Sequence, residues 1–81
     1  MHYEHKCQGT CSRSVQFDID DQGRLHNVQF AGGCHGNTQG IGALAEGMDA
    51  AEAAARMRGI RCGAKATSCP DQLAQAIDAT I

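Results

Sequence analysis

SVQFDIDDQGRLHNVQF, Ser14 to Phe30, reads as two short strands joined by a turn. Val15, Phe17 and Ile19 alternate with Gln16, Asp18 and Asp20, the period-two pattern of a strand with one buried face. The turn DDQGR contains Gly23, which is free to take a positive φ. Val28 and Phe30 then share one face of the return strand, so the segment is a β-hairpin. Leu25 falls out of phase with Val28 and Phe30, which predicts a bulge or a strand start later than Leu25. A third strand, if the sheet has one, comes from Tyr3 to Lys6.

Downstream of the hairpin the apolar spacing changes to three and four. Ile41, Leu44 and Met48 mark a helix from about Asn37 to Glu46, with Gly47 as its stop. Asp49 stands three residues before Glu52, a capping-box spacing, and alanine-rich sequence follows to Gly59, giving a second helix over Ala50 to Arg58. GIRCGAKATS has no sustained periodicity and is a loop of about ten residues, long enough in so small a domain to be functional. Pro70 suits a first helical position, Ser68 or Cys69 the cap, and Leu73, Ile77 and Ile81 line one face of a third helix. The predicted fold is a single small α+β domain over 1–81, an antiparallel β-sheet of two or three strands packed on three helices. Its predicted core is Val15, Phe17, Ile19, Val28, Phe30, Ile41, Leu44, Met48, Met57, Leu73 and Ile77.

Eighty-one residues bury only a little over about 60% of their unfolded surface. The 42% hydrophobic share overstates the core, since much of it is alanine and the aromatics are one Tyr and two Phe. A disulfide, a metal or a second copy in a homodimer would add support to such a core. The net charge of -2, with no run of Lys or Arg, argues against nucleic-acid binding through phosphate neutralisation. MHYEHKC lacks an apolar leader core and no apolar run is long enough to span a bilayer, so the expectation is a soluble, cytoplasmic protein.

In that compartment thiols are usually kept reduced, and five cysteines point to metal ligation or redox chemistry before a disulfide framework. Four fall at element ends. Cys11 precedes the first hairpin strand, Cys34 lies in the turn before the first helix, Cys62 is in the long loop and Cys69 opens the last helix. Thiolates at such positions can be aimed at one tetrahedral zinc or one iron–sulfur cluster. The spacings, Cys11-x22-Cys34, Cys34-x27-Cys62 and Cys62-x6-Cys69, include no short CxxC knuckle. Cys34 also suits a small buried hydrophobe. Cys7 is expected to be exposed and incidental, although Cys7-x3-Cys11 could supply an alternate ligand or redox partner.

GGCHGNTQGIG surrounds Cys34 with glycines where a strand meets a helix. Such a turn lets backbone amides approach an anion, whether thiolate, cluster sulfide or phosphate. A nucleotide or flavin held by Gly33, Gly36 and Asn37 is the alternative, without the dinucleotide fingerprint or the P-loop lysine. His35 is placed to ligate, to hydrogen-bond a sulfur or to sit in solvent. Asp71 suits a helix-dipole partner or an acceptor behind the ligands. Cys69 at a helix N-terminus is a competent thiolate for either ligation or nucleophilic attack.

TSCPD (Thr67–Asp71), GGCHGN (Gly32–Asn37), EGM (Glu46–Met48) and GIRCG (Gly59–Gly63) together resemble the TSCPD domain family over nearly the whole chain. The resemblance implies four characteristic cysteines, here Cys11, Cys34, Cys62 and Cys69, and a metal-binding role. It also implies a link to adenosylcobalamin-dependent ribonucleotide reductases, which carry related terminal segments, and hence to DNA precursor synthesis. Short members often carry the label ribonucleoside-diphosphate reductase. A chain this short is not a complete enzyme of that kind; the implied partner is a ribonucleotide reductase or another redox enzyme, for which a thiol redox role is the second reading. More distantly, the order of elements is similar to the U-type iron–sulfur scaffold proteins, whose three ligands would fall on Cys11, Cys34 and Cys69. The scaffold's Asp after the first cysteine and His before the last are replaced here by Ser12–Arg13 and Ser68.

Overall fold

The computed structural model describes residues 1–33 and 35–80. Cys34 and Ile81, the proposed second ligand and the last residue of the third-helix stripe, lie outside them. The chain runs β1 (His2–Lys6), β2 (Ser12–Ile19), β3 (Leu25–Gly32), α1 (His35–Ala45), α2 (Ala50–Met57) and α3 (Cys69–Thr80). The three strands form one antiparallel sheet in the order β1-β2-β3, so the α+β class holds and the third strand is present. Among the described residues no helix is long and apolar enough to cross a membrane.

The hairpin turn is closed by Asp20, whose Oδ1 accepts the backbone N–H groups of Gln22 and Arg24 at 2.9 and 3.0 Å, with Gly23 at φ 78°. The out-of-phase Leu25 is explained by a bulge. Gln16 faces Gln29 and Asp18 faces His26, so β3 carries one extra residue, and Asn27 takes φ 56°, a conformation its side chain tolerates. That extra residue turns Leu25 and Val28 onto the same buried face.

The α1–α2 turn fastens onto this irregular strand. Leu25 donates to Met48 O at 2.8 Å and accepts from Gly47 N at 2.7 Å, and Glu46 Oε1 takes the N–H of Asn27 at 3.0 Å. Residues of EGM thus bond backbone groups along the outer edge of β3, at Leu25 and at the bulged Asn27. Asp49 caps α2 by accepting from Glu52 N at 3.0 Å, as its spacing predicts.

Phe17, Leu25, Leu73, Ile77 and Val15 are fully buried. Ile19, Phe30, Ile41, Met48 and Met57 pack against them half-buried. The expected core is corrected at two positions. Leu25 belongs to it, because of the bulge, and Leu44 does not: it is 80% exposed, since α1 packs on β3 while α2 packs on α3 and, among the described residues, nothing covers its outer face. Much of the remaining core is alanine, at 45, 50, 53, 54, 74 and 76, where short side chains let helices approach closely. Arg58 at the end of α2 forms a two-pronged contact with Asp78 of α3 at 2.9 and 2.8 Å.

Gly42 is where α1 comes nearest the sheet; a Cβ there would lie 2.7 Å from Val28 O. Gly42→Ala is expected to lower unfolding free energy by about 1 kcal/mol or more, overpacking outweighing the gain in helix propensity. Gly40, with nothing within 4 Å of such a Cβ, should behave oppositely, Gly40→Ala stabilising by about 0.5–1 kcal/mol. Urea unfolding of the two variants checks the pair.

His26 bridges Glu46 Oε2 at 2.5 Å and Asp20 Oδ2 at 2.7 Å. Both carboxylates raise its pKa, Asp20 more than Glu46. Asp20 is held down to about 2, first by the Arg24 N–H and then by His26, and Glu46 is lowered by the Asn27 N–H and His26. The imidazolium contribution is complete below its ordinary 6.5 and disappears as pH rises through the raised value. The carboxylate contributions disappear as pH falls below their ordinary 3.8 and 4.5. The Tm difference between wild type and His26→Ala is therefore expected to be widest between those limits and to shrink toward both acid and alkaline pH, which a thermal-melt series checks.

Candidate functional site

TSCPD is the hinge between the long loop and α3, and each of its polar side chains has a partner. Ser68 caps α3, its Oγ accepting from Asp71 N at 3.1 Å and donating to Ile60 O at 2.7 Å. Asp71 is buried and accepts from Gly59 N at 2.7 Å, from Gln75 Nε2 at 2.9 Å and from the Thr67 hydroxyl. These bonds, Thr67 foremost, hold its carboxyl below the ordinary range. Gln72 donates to Thr67 Oγ1 at 3.0 Å, while its Oε1 accepts from Gln8 N at 3.1 Å and bonds His5 Nε2 at 3.2 Å. The first turn of α3 therefore gathers the long loop on one side and the β1–β2 connection on the other.

The gathering places Cys69 against Thr10, Cys11 and Ser12. Cys69 Sγ lies 2.6 Å from Ser12 Oγ and 3.2 Å from Thr10 Oγ1, and the Ser12 N–H and the Cys11 thiol also reach it. Burial pushes the thiol up, but these four donors outweigh burial and its pKa ends below the ordinary value. Position at the start of a helix favours the anion further. The result is a sulfur biased toward its anionic form, shielded from solvent and next to an exposed second sulfur.

Gly33 packs on the same spot. A Cβ there would lie 2.5 Å from Ser12 Oγ, and φ is 80°, so only glycine fits. With Gly32 and His35 it also lines a cleft of about 350 Å³ between β3 and α1. Gly36 and Asn37, the other residues of the nucleotide or flavin reading, do not line it. His35 is exposed and bonds Gln39 one turn along its own helix. Asp71 directs its oxygens to the loop and to its own helix.

Cys62 is exposed in the loop, where its backbone bonds Thr67 and Lys65. Among the described residues no three His, Cys, Asp or Glu side chains converge as a metal site would require, so Cys11 and Cys69 stand together and Cys62 stands apart from them. Cys7 corrects its sequence expectation: it is buried, part of the core, and its thiol is pushed up to about 11, first by burial and then by the charge of Cys69. Thr10, Ser12 and Gln72 carry the site's hydrogen bonds and were not singled out from sequence. The hydroxyls on either side of Cys11, in the string TCS, were the available signal.

A family model, the TSCPD domain, matches residues 1–81, the whole chain. The chain belongs to the TSCPD domain family. Comparison with curated proteins and with solved structures finds no match. In this TSCPD domain the signature pentapeptide is at once a helix cap, a loop anchor and the position of the hydrogen-bonded Cys69 sulfur.

Loss of the closest donor should be visible on reduced, chelator-treated protein. Ser12→Ala is expected to move the midpoint of Cys69 alkylation upward by about one pH unit, the worth of a hydrogen bond to a charged group. Mass-spectrometric labelling against pH checks it, with Cys7 as the unreactive internal reference.

Proposed function

We propose that this TSCPD domain is a metal-binding module, for zinc or an iron–sulfur cluster, that serves ribonucleotide reduction. Cys11 and Cys69 are the nucleus of its ligand set, and Cys34 and Cys62 complete it. The observation that carries the reading is the Cys69 sulfur, surrounded by the Thr10 and Ser12 hydroxyls, the Ser12 N–H and the Cys11 thiol, which together lower its pKa. Metals bind thiolates and not thiols, so a ligand already stabilised as an anion loses less on deprotonation when the metal arrives. The donor set suits the group in kind: sulfur ligands fit tetrahedral zinc or a cluster, and among the described residues two of them, Cys11 and Cys69, stand together. Gly33, adjoining Cys34 in sequence and packed on Ser12, supports including Cys34 in the set. Four thiolates bound to zinc would have a structural role in a small domain, and bound to a cluster an electron-transfer one.

The closeness of Cys11 and Cys69 also supports a second reading, a dithiol that serves a reductase. There the Cys69 and Cys11 thiols lose two electrons and two protons to an acceptor disulfide, forming their own disulfide as that acceptor becomes a dithiol.

Anaerobic purification with metal analysis and a visible spectrum separates the two. The metal reading expects close to one zinc per chain, or iron with visible absorption, falling below about a tenth in Cys69→Ser and in Cys11→Ser. Less than about half an equivalent in wild type, unchanged by Cys34→Ser, would sink it. A reversible Cys11–Cys69 disulfide in that metal-poor protein would establish the dithiol.

A further inference from the structure

We infer that the cleft between β3 and α1 is a docking site for one extended segment of another protein, which pairs with the open edge of β3 as an added strand. The pairing of the sheet shows which way the backbone groups of that edge face. Met1 and Ile19 exchange N–H···O bonds and Cys7 donates to Arg13, so the odd-numbered residues of β2 bond β1 and the even-numbered ones bond β3. Gln29 and Ala31, opposite Gln16 and Ser14, therefore bond β2, and Phe30 between them turns its N–H and C=O outward. No hydrogen bond answers either group among the described residues. An edge with an unanswered donor and acceptor, opening into a cleft, is what an added strand completes.

The shape and lining of the cleft specify the guest. α1 meets the strand at Gly42, beside Val28 O, and stands off from it toward its own start, so that His35, Thr38 and Gln39 form the far wall of a wedge of about 350 Å³. The strand wall runs from Val28 to Gly33, about 16 Å at the rise of a β-strand, which is room for about five residues of extended chain. Val28 and Phe30 supply its apolar surface, and none of the lining residues is Lys, Arg, Asp or Glu. The guest is therefore held by its main chain and by apolar side chains at alternate positions facing Phe30, and not by charge. A second copy offers β1, the other edge of the sheet, but β1 brings β2 and α3 with it, and a contact of β1 on β3 runs head to tail without closing. At the end of the cleft Gly33 packs on Ser12, whose hydroxyl touches Cys69, so the guest lies beside the sulfur pair. The inference stands whether those sulfurs bind a metal or cycle as a dithiol.

The probe is a phage-displayed library of random linear octapeptides selected on the full, reduced chain. The expected result is enrichment of apolar residues at i and i+2 with no shared charge. For a selected peptide, methylation of single backbone amides, read by fluorescence anisotropy, should weaken binding about ten-fold or more at alternate residues only, since the amides between them face away. Gln39→Trp, which fills the cleft from an exposed helix position, should weaken it by about the same factor. Amide exchange followed by NMR should show the Phe30 N–H exchanging fast in the free protein and about ten-fold or more slowly with the peptide bound. Should Gln39→Trp lower the Tm, the methylation and exchange results decide alone. Enrichment of no peptide, a methylation profile that is flat or follows a helical repeat, or binding indifferent to a folded Gln39→Trp overturns the inference. So does a Phe30 N–H already protected in the free chain, including by a wild-type dimer seen in sedimentation.

Discussion

The hydrogen-bonded knot of Thr67, Asp71 and Gln72 is the constraint on which the rest of the site depends. Three segments far apart in sequence meet there: residues 59–67, the connection at Gln8, and the opening turn of α3. A buried carboxylate is costly unless its oxygens are satisfied, and Asp71 meets that condition with a backbone N–H, a hydroxyl and an amide. Once it does, the loop has one place to lie. The Thr10–Ser12 stretch is then brought against the start of α3, and the environment of Cys69 follows.

The same economy appears in the core. A chain with so few large side chains cannot separate its layers by much, and its alanines turn that shortage into close approach between helices. Packing at short range leaves little slack, so α1 can sit on β3 only with a glycine at position 42. It also explains why one helix face is left bare. Three helices of eight to twelve residues cannot all wrap a three-stranded sheet and each other, and the uncovered face falls between α1 and α2.

Most of the architecture was legible from patterns that are local. Alternation gave β2, the phase break at Leu25 gave the bulge, and capping residues gave the limits of α2 within a residue. The errors came from quantities that periodicity does not carry. Leu44 has the spacing of a core residue but no neighbour to bury it, and only tertiary packing decides that. Cys7 sits in a polar string, yet the turn after it folds back on α3 and encloses it. At the site, the importance of Cys69 was readable from the proline that follows it. Its hydroxyl partners were not, because Ser12 and Thr10 lie 57 and 59 residues away in sequence.

The bulge in β3 has a consequence for how the chain acquires its structure. Leu25 and Asn27 present backbone groups that are answered from Glu46, Gly47 and Met48 and not by the neighbouring strand. A hairpin formed without that turn has nothing to fix its extra residue, and a ladder that slips by one exchanges its buried and solvent faces. The turn, for its part, has no template without the strand. Strand register and helix connection are thus written in each other's residues, and they form and melt as one cooperative unit.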